Sequence, residues 1–202
     1  MKIVCIGRNY VDHAKELNNE VPKEPVIFMK PDTCLLPKKN PFFIPDFTSE
    51  VHHELELVVR INRLGKNIEE RFANRYYDEI SVGIDFTARD IQSELKSKGL
   101  PWEKAKAFDA SAPIGDWVKV GSRKIQNLDI ELKKNGAIAQ KGNTKDMLFS
   151  VDRLIAEISR YFTLKIGDII FTGTPAGVGK VEANDQLDAF LDGQQLLSVK
   201  VK

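Results

Sequence analysis

Cysteine is nearly missing from this chain: Cys5 and Cys34 are the only two in 202 residues. Neither lies in a Cys-x-x-Cys pair or a Cys/His cluster, which argues against a zinc site and a disulfide scaffold. Buried free thiols in a reducing compartment are the expectation. An excess of one charge is also lacking, with 30 basic against 29 acidic residues and a net charge of +1. No nucleic-acid or membrane partner is therefore expected. No apolar run is long enough to cross a bilayer. The run at Ile3 to Ile6 is too short for a signal peptide and is followed at once by Arg8 and Asn9. A cytoplasmic protein fits. There is no internal repeat, no low-complexity tract and no Gly-x-Ser-x-Gly elbow. The glycines of Gly173 to Gly179 have a proline in the turn and no Gly-Lys-Ser/Thr ending, so they are weak evidence for a dinucleotide or a P-loop. They read instead as a tight turn offering backbone N–H groups and the Thr174 hydroxyl to an anion.

What is present is a core-forming composition, 42% hydrophobic, over a length suited to one domain or a domain with a small lid. Ile3 to Ile6 reads as a buried strand, and Asn9 as the cap of a short helix through His13 and Leu17. Six prolines from Pro22 to Pro45 mark edges, loops or a rim. Strands are expected at Glu54 to Ile61, Ile80 to Phe86, Trp117 to Val120, Leu128 to Leu132 and Asp168 to Phe171. Asn135-Gly136 and Asp192-Gly193 signal hairpins. Ile68 to Tyr77 has helical character. Thr87 to Asp90 resembles a capping box opening a helix that Gly99 and Pro101 close, and Val151 to Phe162 is an amphipathic helix. Helices interrupt the strands rather than alternate with them. The fold class is mixed α+β, mainly β, a roll or barrel rather than a doubly wound sheet.

The densest chemistry lies in His52-His53-Glu54-Leu55-Glu56-Leu57. Alternate strand residues share a face, so Glu54 and Glu56 aim together while Leu55, Leu57 and Val59 face away. Two carboxylates side by side in a half-buried sheet repel and resist desolvation; a hard divalent cation is the simplest compensation. The plain alternative is a solvated outer face. Asp85, at a strand end after Gly83 leaves room, is a candidate third ligand, or else an ordinary helix cap. Three acids with waters suit Mg²⁺ or Mn²⁺. Lys106, among Trp102, Ala105, Ala107 and Phe108, is either a solvated charge or a partly buried amine able to hold an enolate or carboxylate oxygen. His13 and Glu16 share a helix face, as a general base with its orienting acid or as a surface pair.

Five segments taken together resemble the fumarylacetoacetate hydrolase family: Gly7 to Tyr10 with Asp12-His13, His52 to Leu57, Asp85 to Gln92, Lys104 to Asp109, and Phe171 to Gly179. They occur in the family's order, and the similarity is to its acylpyruvate hydrolase and oxaloacetate decarboxylase branch. The resemblance implies a single catalytic domain over residues 1–202, a β-sandwich roll with inserted helices, a lid helix at about residues 8–22 and a homodimer. It implies Mg²⁺ or Mn²⁺ on Glu54, Glu56 and Asp85. It places Lys106 on a pyruvate enolate, His13 and Glu16 as a lid dyad, and Gln92 at the oxyanion. Arg8, Arg89 and Thr174 would bind substrate, with Arg89 organising the pocket floor. The implied reaction is metal-dependent C–C hydrolysis of an acylpyruvate, a 2,4-diketo acid. Oxaloacetate decarboxylation, which needs the same enolate but no water attack, and the isomerases and hydratases of 2-keto acids remain open. A non-catalytic binding module is a further reading, opposed by the apparently complete set of acids, Lys106 and the His13–Glu16 pair.

Overall fold

The structure, a computed structural model, describes residues 1–11 and 21–202. Its backbone is mainly β. The central sheet contains β1 (Ile3–Gly7), β2 (Val26–Lys30), β4 (Leu55–Ile61), β5 (Tyr77–Ile84), β7 (Val118–Lys119) and β10 (Ile169–Phe171) in the order β2-β1-β10-β4-β5-β7. β1 runs parallel to β10, and the other pairs are antiparallel. A second sheet joins β8 (Asp129–Lys134), β9 (Ala137–Asn143), β12 (Gln186–Leu191) and β13 (Gln194–Lys200), and a small third sheet joins β3 (Val51–His53), β6 (Thr87–Ala88) and β11 (Gly179–Lys180). The helices α1 (Arg89–Ser97), α2 (Glu103–Lys106) and α3 (Val151–Tyr161) are inserted between strands.

Alternation along β4 and β5 divides the interior. Leu55, Leu57, Val59, Val82 and Ile84 face the larger core, which continues into Ile130, Leu132, Leu187 and Ala189 of the second sheet. Val58 faces the opposite way, into a smaller core with Ile3, Cys5, Cys34 and Phe171. Both thiols are free and buried. Each two-residue hairpin uses left-handed backbone at both turn positions: φ is 54° and 82° at Asn135 and Gly136, and 46° and 79° at Asp192 and Gly193, as a type I′ turn demands. Among the described residues no helix is long and apolar enough to cross a membrane.

Four expectations change. The strand expected from Glu54 to Ile61 begins one residue later, at Leu55, and Glu54 links it to β3. The helical stretch near residue 70 is a 3-10 segment, Glu70–Arg75. Thr87 is a strand residue and does not cap α1, whose N-cap is Ala88 without a side-chain cap bond; a buried ammonium, described below, claims the Thr87 hydroxyl. The proline-rich segment is not wholly superficial, since Phe42 is fully buried and stacks on Phe86 with ring centroids 3.9 Å apart. The helix expected after Asn9, with His13 and Glu16, lies outside the described residues.

Candidate active site

The acids are brought together by strand register. β4 pairs with β5 so that Glu56 lies opposite Gly83, and the Asp85 amide donates to the Glu54 carbonyl at 2.8 Å. Glu54, Glu56 and Asp85 thereby place carboxylate oxygens within 4.8 Å of one another. They are only 5%, 2% and 0% exposed, which rules out the solvated-face alternative. Gly83 does leave room, but for hydrophobic packing: a Cβ there would stand 2.8 Å from both Phe171 and Val58.

Lys106, at the end of α2, reaches into this cluster. Its Nζ lies 2.7 Å from Glu54 Oε2, 2.8 Å from Asp85 Oδ2 and 2.6 Å from Thr87 Oγ1. Burial alone would lower the ammonium's pKa, but Asp85 and Glu54 overcome it and hold the group above the usual lysine range. Three acceptors thus hold the Lys106 ammonium in place. Glu56 behaves in the opposite way. Burial, then the Asp85 and Glu54 charges, push its carboxyl well above the ordinary range, against the Gly173 amide that donates to it at 2.6 Å. The glycine turn does present an N–H to an anion, but the anion is the protein's own carboxylate.

Arg89 opens α1 and donates to Glu54 Oε1 and to Gln92 Oε1, leaving the Gln92 amide nitrogen as the end able to donate. Arg8 closes β1 with left-handed backbone, φ 60°. Arg8, Arg89, Gln92, Lys96, Lys106 and Thr174 line one cleft with the three acids, walled by Phe28 and Trp102. Burial and the charges of Arg8 and Arg89 push the Lys96 ammonium below the usual range. Among the described residues, four cationic side chains face three acids in this cleft.

Two residues that the sequence did not single out belong to this region. Lys30, the last residue of β2, has a fully buried side chain. Its Nζ lies 2.8 Å from Asp85 Oδ1 in a charge contact outside hydrogen-bonding geometry. It donates to the Ser111 hydroxyl at 2.8 Å and to the Lys106 carbonyl. Gln140 of β9, 1% exposed, donates to Thr174 Oγ1 at 2.9 Å. The signal for either was weak, because Lys30 follows an apolar run in the proline-rich segment and Gln140 lies in a hairpin strand far along the chain.

Three crowded, buried, hard oxygen donors fit a divalent cation. Their mutual repulsion, visible in Glu56, is what a dication would relieve.

The profile of the family described as fumarylacetoacetate (FAA) hydrolase, C-terminal, matches residues 2–202. The chain belongs to the fumarylacetoacetate hydrolase family. Within this family it is 44% identical over 203 residues to the mitochondrial oxaloacetate tautomerase FAHD1 of Bos taurus, covering 99% of the chain and 90% of that relative. It is 42% identical to oxaloacetate tautomerase YcgM of Escherichia coli, covering 96% and 90%. Among solved family structures, fumarylpyruvate hydrolase from Pseudomonas aeruginosa, in complex with Mn²⁺ and pyruvate, superposes with a TM-score of 0.94 at 35% identity, covering all of this chain and 89% of that one. A family member from Yersinia pestis superposes with a TM-score of 0.95 at 42% identity, covering 100% and 93%.

Proposed function

We propose that this chain is a divalent-metal-dependent enzyme that forms and stabilises the enolate of a small 2-keto acid, with oxaloacetate as the best-fitting substrate. The observation that carries this reading is the cleft itself: three buried acids in metal-ligand proximity, ringed by Arg8, Arg89, Lys96 and Lys106. Cations in excess over acids favour a dianion over a neutral or monoanionic ligand. Relatives named oxaloacetate tautomerase, 42–44% identical over nearly the whole chain, support the same choice.

Mg²⁺ or Mn²⁺ on Glu54, Glu56 and Asp85 would supply Lewis-acid polarisation of the 2-keto oxygen. The chain's own groups do the rest. The Lys106 ammonium meets the negative charge that grows on the keto oxygen as C3 loses its proton. The Gln92 amide donates toward the same oxygen. Thr174 takes the carboxylate next to the keto group, and Arg8 with Lys96 takes the distal one. Phe28 and Trp102 restrict water, which strengthens each of these interactions. His13 and Glu16 are retained as the proposed base. Returning a proton to the enolate oxygen completes tautomerisation; if the C3–carboxylate bond of the keto form breaks in place of the C3–H bond, CO₂ leaves and its bonding pair becomes pyruvate enolate.

Acylpyruvate hydrolysis is the second reading, favoured by the likeness to fumarylpyruvate hydrolase. It needs the same enolate as leaving group, plus a water deprotonated by the dyad. Ultraviolet enol absorbance separates the readings. With Mg²⁺, enol-oxaloacetate should relax to its keto–enol equilibrium faster than the buffer rate, and EDTA should abolish the acceleration. Loss of acetylpyruvate absorbance with release of pyruvate, and no effect on oxaloacetate, would overturn the tautomerase reading in favour of hydrolysis.

A further inference from the structure

Gln140 sits in β9, in the second sheet, yet its side chain reaches the cleft wall. Its Oε1 accepts from the Leu55 amide at 2.9 Å and pairs with His53 Nδ1 at 2.9 Å. Its Nε2 donates to Thr174 Oγ1 at 2.9 Å and to the Pro175 carbonyl at 3.0 Å. The orientation of this amide is fixed chemically. A backbone N–H can only donate and a carbonyl can only accept, so Oε1 must face Leu55 and Nε2 must face Pro175. Every donor and acceptor position of the side chain is then used. Two consequences follow. His53 must carry its hydrogen on Nδ1. Thr174 Oγ1 must act as acceptor toward Gln140, so its own hydroxyl hydrogen is left over. Among the described residues, the remaining acceptor for that hydrogen is the Pro175 carbonyl at 3.4 Å, too long for a strong O–H···O bond.

We propose that Gln140 is a positioning residue that fixes Thr174 as a hydrogen-bond donor to a carboxylate in the cleft. It also ties Thr174 to the chain at Leu55, beside Glu54, so the anion-binding hydroxyl and the acid cluster share one rigid support. The inference rests on Thr174 binding the substrate carboxylate, as proposed above. Gln140 touches no substrate and acts through Thr174.

The test uses pyruvate as probe, titrated calorimetrically into Mn²⁺-loaded full-length protein. Gln140→Glu keeps the shape but turns the Thr174-facing donor into an acceptor that claims the hydroxyl hydrogen. Its pyruvate affinity should fall about tenfold or more, about the effect of losing one hydrogen bond to a charged group. Mn²⁺ affinity without pyruvate should stay within about twofold, and in turnover the loss should fall on KM more than on kcat. In a Thr174→Val background, adding Gln140→Glu should cost pyruvate affinity little further, because the coupled partner is gone. Equal loss of Mn²⁺ affinity, unchanged pyruvate affinity, or a full loss persisting in the Thr174→Val background would overturn the positioning role alone. Failure of the unaltered Mn²⁺ protein to bind pyruvate would overturn the functional reading together with it. Should Gln140→Glu not fold, ¹⁵N resonances of His53 in the unaltered protein decide the matter: a neutral ring protonated on Nδ1 supports the network, and one protonated on Nε2 overturns it.

Discussion

Two buried ammoniums approach Asp85 from two sides, and they do different things. Lys106 lines the cleft; Lys30 is sealed behind it. Removing Lys30 leaves Asp85, the Lys106 carbonyl and Ser111 without their common cation. Lys30→Met should therefore destabilise the fold by about 3–5 kcal/mol, the cost of breaking a buried ion pair from one side, read as a drop in thermal midpoint. Glu56→Gln should act differently. The Gly173 amide keeps an acceptor, so folding survives, while Mn²⁺ affinity falls by more than the roughly 10–100-fold that loss of an outer-shell partner costs; titration of the purified variant checks this. At this scale the sequence spoke unevenly. Glu54, Glu56 and Asp85 were legible because a carboxylate pair in an apolar strand is anomalous wherever it occurs. Lys30 and Gln140 were not, because their partners lie 34 to 87 residues away and nothing nearby marks them as buried.

At the level of elements, local rules held where local chemistry decides. The type I′ turns and the amphipathic α3, capped by Ser150 accepting from the Arg153 amide at 3.1 Å, follow from adjacent residues. Rules failed where a distant group intervened. Thr87 had the makings of a cap, yet Lys106 draws its hydroxyl into the acid cluster. Glu54 falls between two strands because β3 leaves the central sheet to pair with β6 and β11. Gly83 shows the same dependence on a distant strand. Gly83→Ala should force Phe171 or Val58 to shift, costing about 1–3 kcal/mol as overpacking does. A denaturant midpoint equal to that of the unaltered protein would refute this account.

Over the whole molecule, two depressed carboxyls secure distant segments. Burial works to raise Asp168, but the Lys2 side chain and the Lys2 and Lys165 amides outweigh it and leave its pKa below the usual range. Asp185 is held low in the same way by the Glu182 amide, Asn135 and Lys134, against burial. A carboxyl with a lower pKa folded than unfolded stabilises fully above its unfolded value, about 3.9, and that contribution is lost as pH falls through the folded value. Thermal midpoints should accordingly drop below about pH 4, and Asp168→Asn should flatten that acid limb while lowering the midpoint at pH 7. The fold class was legible at this scale from hairpins and strand alternation. The parallel pairing of β1 with β10 was not, because register between segments 166 residues apart leaves no local trace.

That pairing has a consequence for synthesis. All three acids and Lys106 emerge in the first 106 residues, but the Gly173 amide that binds Glu56, the Thr174 hydroxyl and the strand that sandwiches β1 arrive only after residue 168. Glu56 therefore lacks its backbone donor, and β1 its parallel partner, until translation is nearly complete. Long-range closure of this kind is slow.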